Sequence, residues 1–152
     1  MPTARASRTI AAPLQALWEI VVDPHHLPRW WPRVERVEDV RGSDFTEVMR
    51  TSKGRVVRAD FERLRSDEGE HVVSWSQRVE GTPFARVLRS AETELRLAPA
   101  RADAPAGAAT EVTIELRQSL SGFFPRFGAL MVRRAAASTI DDALDGLERI
   151  SG

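Results

Sequence analysis

The apolar residues of this chain change period twice, and nothing else in the sequence constrains its fold as strongly. After Pro32 they recur mainly at every second position. Val57, Ala59 and Phe61 form one such set, Val73, Trp75 and Val79 a second, and Val112, Ile114 and Leu116 a third. Side chains two apart share one face of a strand, so this pattern predicts strands with one covered face. On either side the spacing is helical. Leu14, Leu17, Trp18, Val21 and Val22 follow Pro13, which suits a first helical position, and Asp23-Pro24 stops them. Residues 24 to 30 leave room for one short second helix. At the far end Pro125 opens a long helix to about Ile150.

Turn residues divide the middle region. A first strand covers Arg5 to Ile10. Val34, Val37 and Val40 alternate imperfectly, which predicts a bulge. Phe45 to Thr51 is the next strand. Ser52-Lys53-Gly54, Asp67-Glu68-Gly69 and Gly81-Thr82-Pro83 turn the chain. Val87, Arg89, Ala91, Thr93, Leu95 and Leu97 alternate in one long strand. Ala98 to Ala109 is a loop rich in Ala, Pro and Gly, and Thr110 to Leu120 is the last strand, ended by Ser121-Gly122. The order is strand, two helices, six strands and one long helix, an α+β chain forming one domain over residues 1–152. The final helix carries Phe127, Leu130, Met131, Ala137, Ile140, Leu144 and Leu147 as its apolar residues and is the natural cover for a curved sheet.

Composition narrows the function classes. Lys+Arg and Asp+Glu both number 22, so net charge offers no attraction for nucleic acid or an acidic membrane. The arginines of GRVVRADFERLR spread over both strand faces, as on a solvated strand. Cysteine is absent, which excludes disulfides, thiolate metal sites and Cys nucleophiles. His25 and His26 are neighbours with no third ligand at suitable spacing, and His71 starts a strand, so no metal and no cofactor are expected. No G-x-S-x-G, P-loop or G-x-G-x-x-G occurs. No apolar run reaches membrane-spanning length and Met1 to Arg8 lacks a signal-peptide stretch, which makes a cytoplasmic location the expectation.

The stretch TIAAPLQALWEIVVDPHHLPRWWPRVERVE combines a strand, Ala-Pro, an apolar-aromatic helix, Asp-Pro, Leu-Pro and a Trp before proline. With QRVEGTPFARV and the long C-terminal helix, it resembles the START-like, helix-grip superfamily, in its polyketide cyclase/dehydrase and lipid-transport branch. The resemblance implies a seven-stranded antiparallel sheet curved around the C-terminal helix, two short helices after the first strand, and a cavity between sheet and helix. It also implies that the Trp30-Trp31 segment and the turns at 52–54, 81–84 and 121–124 gather at one end, with the 98–109 loop at the other. Trp30, Trp31, Phe84, Phe123 and Phe124 would then ring one opening. Adjacent side chains point opposite ways, so one tryptophan lines the mouth and the other packs on the protein.

Strand parity adds polar groups. If Phe61 and Trp75 face inward, so do Gln77 and Arg89, and Gln118 follows Ile114 and Leu116. On the helix, Arg134 shares a face with Phe127, Leu130 and Met131, while Arg133 points aside. A buried arginine needs a partner. Arg89 and Arg134 either bind a ligand's carboxylate or carbonyl, or reach an edge or an internal acid such as Glu47. The expected ligand-binding set is therefore Trp30, Trp31, Phe61, Trp75, Gln77, Phe84, Arg89, Gln118, Phe124, Phe127, Met131 and Arg134. The favoured function is binding of a small hydrophobic molecule such as a lipid, polyketide or aromatic metabolite. An aromatase/cyclase-type enzyme is the alternative, in which Arg89 or Arg134 stabilises enolate charge. The absence of tyrosine removes a common acid of this superfamily's pockets. A third reading is a protein-interaction domain with a filled core. Stable membrane insertion and nucleic acid are not expected, and homodimerisation stays open.

Overall fold

The computed structural model describes residues 2–101, 107–121 and 126–151, with the side chains of residues 126 and 127 outside the description. Strand β1 (Thr3–Ile10) leads into helix α1 (Leu14–Val21), a 3-10 turn at Pro24–His26 and the one-turn helix α2 (Leu27–Trp30). Strands β2 (Val34–Arg41), β3 (Asp44–Arg50), β4 (Val56–Asp67), β5 (Val72–Gln77), β6 (Leu88–Pro99) and β7 (Thr110–Leu120) follow. A second 3-10 turn, Pro83–Arg86, precedes β6, and helix α3 (Arg126–Ser151) ends the described chain.

The strands form one seven-stranded sheet in the order β1-β7-β6-β5-β4-β3-β2, every pair antiparallel. β2 to β7 are therefore a meander, and β1 closes its far edge by pairing with β7. α1 and α2 carry the chain from one edge to the other. Pro13 precedes α1 with extended backbone, and Leu14, Leu17, Trp18 and Val21 bury the helix's apolar face. Asp23 then accepts a hydrogen bond from the His25 backbone N–H, capping the turn in which Pro24 fixes φ. The expected irregularity in β2 is present as register shifts between Val34 and Arg36 and between Glu38 and Arg41.

α3 packs chiefly on β1, β7 and α2. Its buried residues are Ala136, Ile140, Ala143, Leu144 and Leu147. They meet Ile10, Leu95, Leu97, Val112 and Ile114 of the sheet in a continuous core with Leu17, Trp18 and Leu27. α2 and α3 approach backbone to backbone at Gly146, where an added Cβ would lie 2.2 Å from the Trp30 carbonyl oxygen. Only glycine permits that contact. Arg8 of β1 donates to Asp145 of α3 across the sheet–helix seam.

The helix's inward face differs in phase from the expectation. Val132, Ala136 and Ile140 are four apart and lead into the buried face. Met131, one residue earlier, is 56 % exposed, and Arg134 is exposed as well. A one-residue offset turns a helical side chain by about 100°. Counting forward from Phe127 and Leu130 therefore selects a different stripe from counting back from Leu147.

Candidate functional site

The inner face of the sheet divides into two halves. Towards the 98–109 connection, Val73, Leu95, Ile114 and Val112 are closed over by α3. At the other end the same face lines a cavity of about 840 Å³ between the sheet and the first half of α3. That volume lies within the usual range of small-molecule sites. α3 presents Val132, Ala135, Ala136 and Thr139 to it, all short side chains that leave the space open. Among the described residues, no side chain fills this space.

One wall is aromatic. Trp31 stands edge-on to Trp75 with ring centroids 6.0 Å apart, Trp75 meets Phe45 at 6.3 Å, and Phe45 stacks on Phe61 at 5.4 Å. These offset and edge contacts fix the rings before any ligand arrives. Pro83, Phe84, Val87 and Leu88 line the side beyond the end of β5. Val56 and Val87, 54 % and 45 % exposed, stand at the rim where the cavity meets solvent.

The two adjacent tryptophans divide as expected. Trp30 ends α2, is 2 % exposed and lies outside the cavity lining, with its backbone against Gly146 of α3. Trp31 has extended backbone (φ −82°, ψ 131°) and lines the cavity, its ring edge-on to that of Trp30 with centroids 5.4 Å apart. The expectation that Trp30 itself lines the site is corrected.

β3, β5 and β7 each contribute a polar side chain to the lining. Gln77 follows Trp75 on β5, and Gln118 follows Leu116 on β7. Ala91 of β6 pairs with Gln118 and leaves a gap beside it. Gln77 Nε2 and Gln118 Oε1 are both buried without a hydrogen-bond partner among the described residues. Buried polar atoms are normally satisfied, so two exceptions in one cavity call for an explanation. Glu47 sits on β3 between Phe45 and Met49, opposite Ala59. It is 2 % exposed, with no ion pair or side-chain hydrogen bond among the described residues. Burial alone pushes its carboxyl up to about 8, so it is mainly protonated at neutral pH.

A family model described as polyketide cyclase / dehydrase and lipid transport matches residues 1–152. The chain belongs to that family. No curated protein matches it in sequence. Among solved structures, the family fold recurs in the di-domain ARO/CYC BexL from the BE-7585A biosynthetic pathway, with a TM-score of 0.79 and 21 % identity. That match covers 98 % of this chain but 46 % of BexL, so the chain spans just under half of that protein. The Zhui aromatase/cyclase from Streptomyces sp. R1128 superposes with a TM-score of 0.76 at 15 % identity, covering 98 % of this chain and 92 % of that one. A START superfamily protein from Mycobacterium smegmatis gives 0.76 at 15 % identity, covering 98 % and 96 %. The seven-stranded sheet and long C-terminal helix are the helix-grip fold.

Within the cavity, the structure brings together Trp31, Phe61, Trp75, Gln77, Phe84 and Gln118 from the expected set. It does not bring in Arg89, Met131 or Arg134, all exposed and outside the lining. For Arg89 the reason is a bulge. Leu88 pairs with Leu120 and Ser90 with Ser119, so β6 carries one extra residue there. Leu88 and Ala91 both face the cavity, and Arg89 and Ser90 turn out between them. Phe123 and Phe124, and the Phe127 side chain, lie outside the described residues. Glu47 is among the lining residues that the expected set omits. Its signal was the alternation Phe45, Glu47, Met49, the same parity argument that found Gln77.

No described helix is long and apolar enough to cross a membrane. Among the described residues, no three His, Cys, Asp or Glu side chains are grouped to hold a metal ion.

Proposed function

We propose that this chain binds a small, largely apolar molecule in the cavity between β3–β7 and α3. The observation that carries the reading is the pair of buried, partnerless amide atoms, Gln77 Nε2 and Gln118 Oε1, inside an aromatic-walled space of about 840 Å³. Leaving such atoms unbonded costs roughly 1–3 kcal/mol each, and a ligand with a matching polar group removes that cost. The apolar wall supplies the affinity, roughly 2.5 kcal/mol for each 100 Å² of apolar ligand surface covered.

The test is native mass spectrometry of protein purified from its own host, followed by organic extraction and titration with an environment-sensitive hydrophobic dye. A stoichiometric apolar compound, or dye uptake displaced by one, supports the reading. Repeated absence of any bound compound together with no dye uptake overturns it.

A cyclase-type reaction is the second reading, favoured by Glu47. A carboxyl that keeps its proton at neutral pH is placed to protonate a developing enolate or alkoxide oxygen in a chain folded within the cavity. The arginines first considered for that charge, Arg89 and Arg134, point to solvent. Conversion of a poly-β-ketone thioester to a cyclised product by purified protein, lost in Glu47→Leu, would support catalysis over carriage.

A further inference from the structure

We propose that Glu47 is the specificity-determining residue of the cavity, admitting uncharged ligands that present an acceptor oxygen and turning away carboxylates. The inference rests on the ligand-binding reading above and names the charge class of the ligand.

From every element around the cavity, its charged groups among the described residues are Glu47 on β3, Arg58 on β4 and Glu92 on β6. Arg58 is half-exposed and donates to Glu38 at 2.8 Å, with Asp39 at 3.8 Å. Glu92 accepts from Arg117 at 3.3 Å. β5 and β7 contribute Gln77 and Gln118, and the described side chains of α3 contribute Val132, Ala135, Ala136 and Thr139. Among the described residues, therefore, no free cation meets an anion that enters. A carboxylate would lose its hydration and face a carboxyl group, with nothing to offset either effect.

An uncharged acceptor fits the same groups. The protonated Glu47 has one O–H to donate, and Gln77 Nε2 has unused N–H donors. Gln118 Oε1 remains for a ligand hydroxyl. The carboxyl has no competing acceptor among the described residues. A ketone oxygen accepts only, so Glu47 can bond it only in its protonated form, and the ionised carboxylate beside it repels it.

The experiment uses the full chain and matched ten-carbon probes: 2-decanone, decanoate and decylammonium. Each displaces a hydrophobic dye, read also through Trp31 and Trp75 fluorescence, at several pH values from 6 to 10. The expected result is that 2-decanone binds at least tenfold more tightly than decanoate at pH 7. Its affinity stays level up to about pH 8 and then falls about tenfold per pH unit. In Glu47→Gln, which keeps a donor but cannot ionise, the affinity stays level throughout. In Glu47→Leu it is at least fivefold weaker than in Glu47→Gln at every pH. Decanoate or decylammonium binding as tightly as the ketone at pH 7 overturns the proposal. So does ketone affinity that ignores pH in the unmodified protein, or dye that enters but yields to none of the probes. A dye that never enters defeats the cavity reading itself.

Discussion

Glu47→Gln isolates the energetic consequence of one buried carboxyl. The substitution keeps the side chain's length and polar atoms but removes its ionisation. In the unfolded chain the glutamate titrates near 4.5, whereas in the native protein burial pushes it up to about 8. Below 4.5 the carboxyl is protonated in both states and adds no pH dependence. Between the two values the unfolded chain has released the proton and the native protein still holds it, so stability falls as pH rises. The slope is about 1.4 kcal/mol per pH unit, and the loss levels off at about 5 kcal/mol above pH 8. Glu47→Gln has no such loss. The two proteins should be equally stable near pH 4.5, with the variant ahead by about 3 kcal/mol at pH 7 and about 5 kcal/mol at pH 9. All other titrating groups are shared and cancel in the difference. Urea unfolding of ligand-free protein at a series of pH values measures it. Thermal melts should show the variant roughly 10–20 °C higher at pH 9, at roughly 2–4 °C per kcal/mol for a chain of this length. Parallel stability profiles across the range would refute the reasoning, because they would mean that Glu47 ionises in the native protein as it does in water.

Other substitutions test packing and lining. Gly146→Ala places a Cβ 2.2 Å from the Trp30 carbonyl oxygen, so it should lower stability by about 2 kcal/mol despite alanine's better helix propensity; an unchanged or raised Tm would show that α2 and α3 separate freely. Ile140→Ala empties a fully buried position and should cost roughly 2–5 kcal/mol in denaturant unfolding. Ala91→Leu extends a side chain into the cavity next to Gln118, so dye affinity should fall at least tenfold while the fold, read by circular dichroism, is kept. Arg89→Ala and Arg134→Ala should leave dye affinity within twofold, since both side chains are exposed; a tenfold loss in either would contradict their outward placement.

Much of the fold was legible because it follows from local periodicity. Alternation at two marked the strands from β3 to β7, and Pro13 and Asp23-Pro24 bracketed α1. The same parity placed Phe61, Trp75, Gln77 and Gln118 on the face that lines the cavity. It failed at Arg89 because one extra residue in β6 reverses every side chain before it relative to those after. No residue type at Leu88, Arg89 or Ser90 announces that insertion; it reflects how β6 must bend to pair with β7.

By itself, then, the sequence determined which residues alternate and where helices begin and stop. Those are properties of backbone geometry over a few neighbours. The tertiary structure alone decided which stripe of α3 meets the sheet, putting Val132, Ala136 and Ile140 inward and Met131 and Arg134 outward. It also decided that, among the described residues, Glu47 has no ion-pair partner and Gln77 Nε2 and Gln118 Oε1 have no hydrogen-bond partner. Partnering depends on what distant segments bring to the same place, and a carboxyl's chemistry depends on that company rather than on its own residue type.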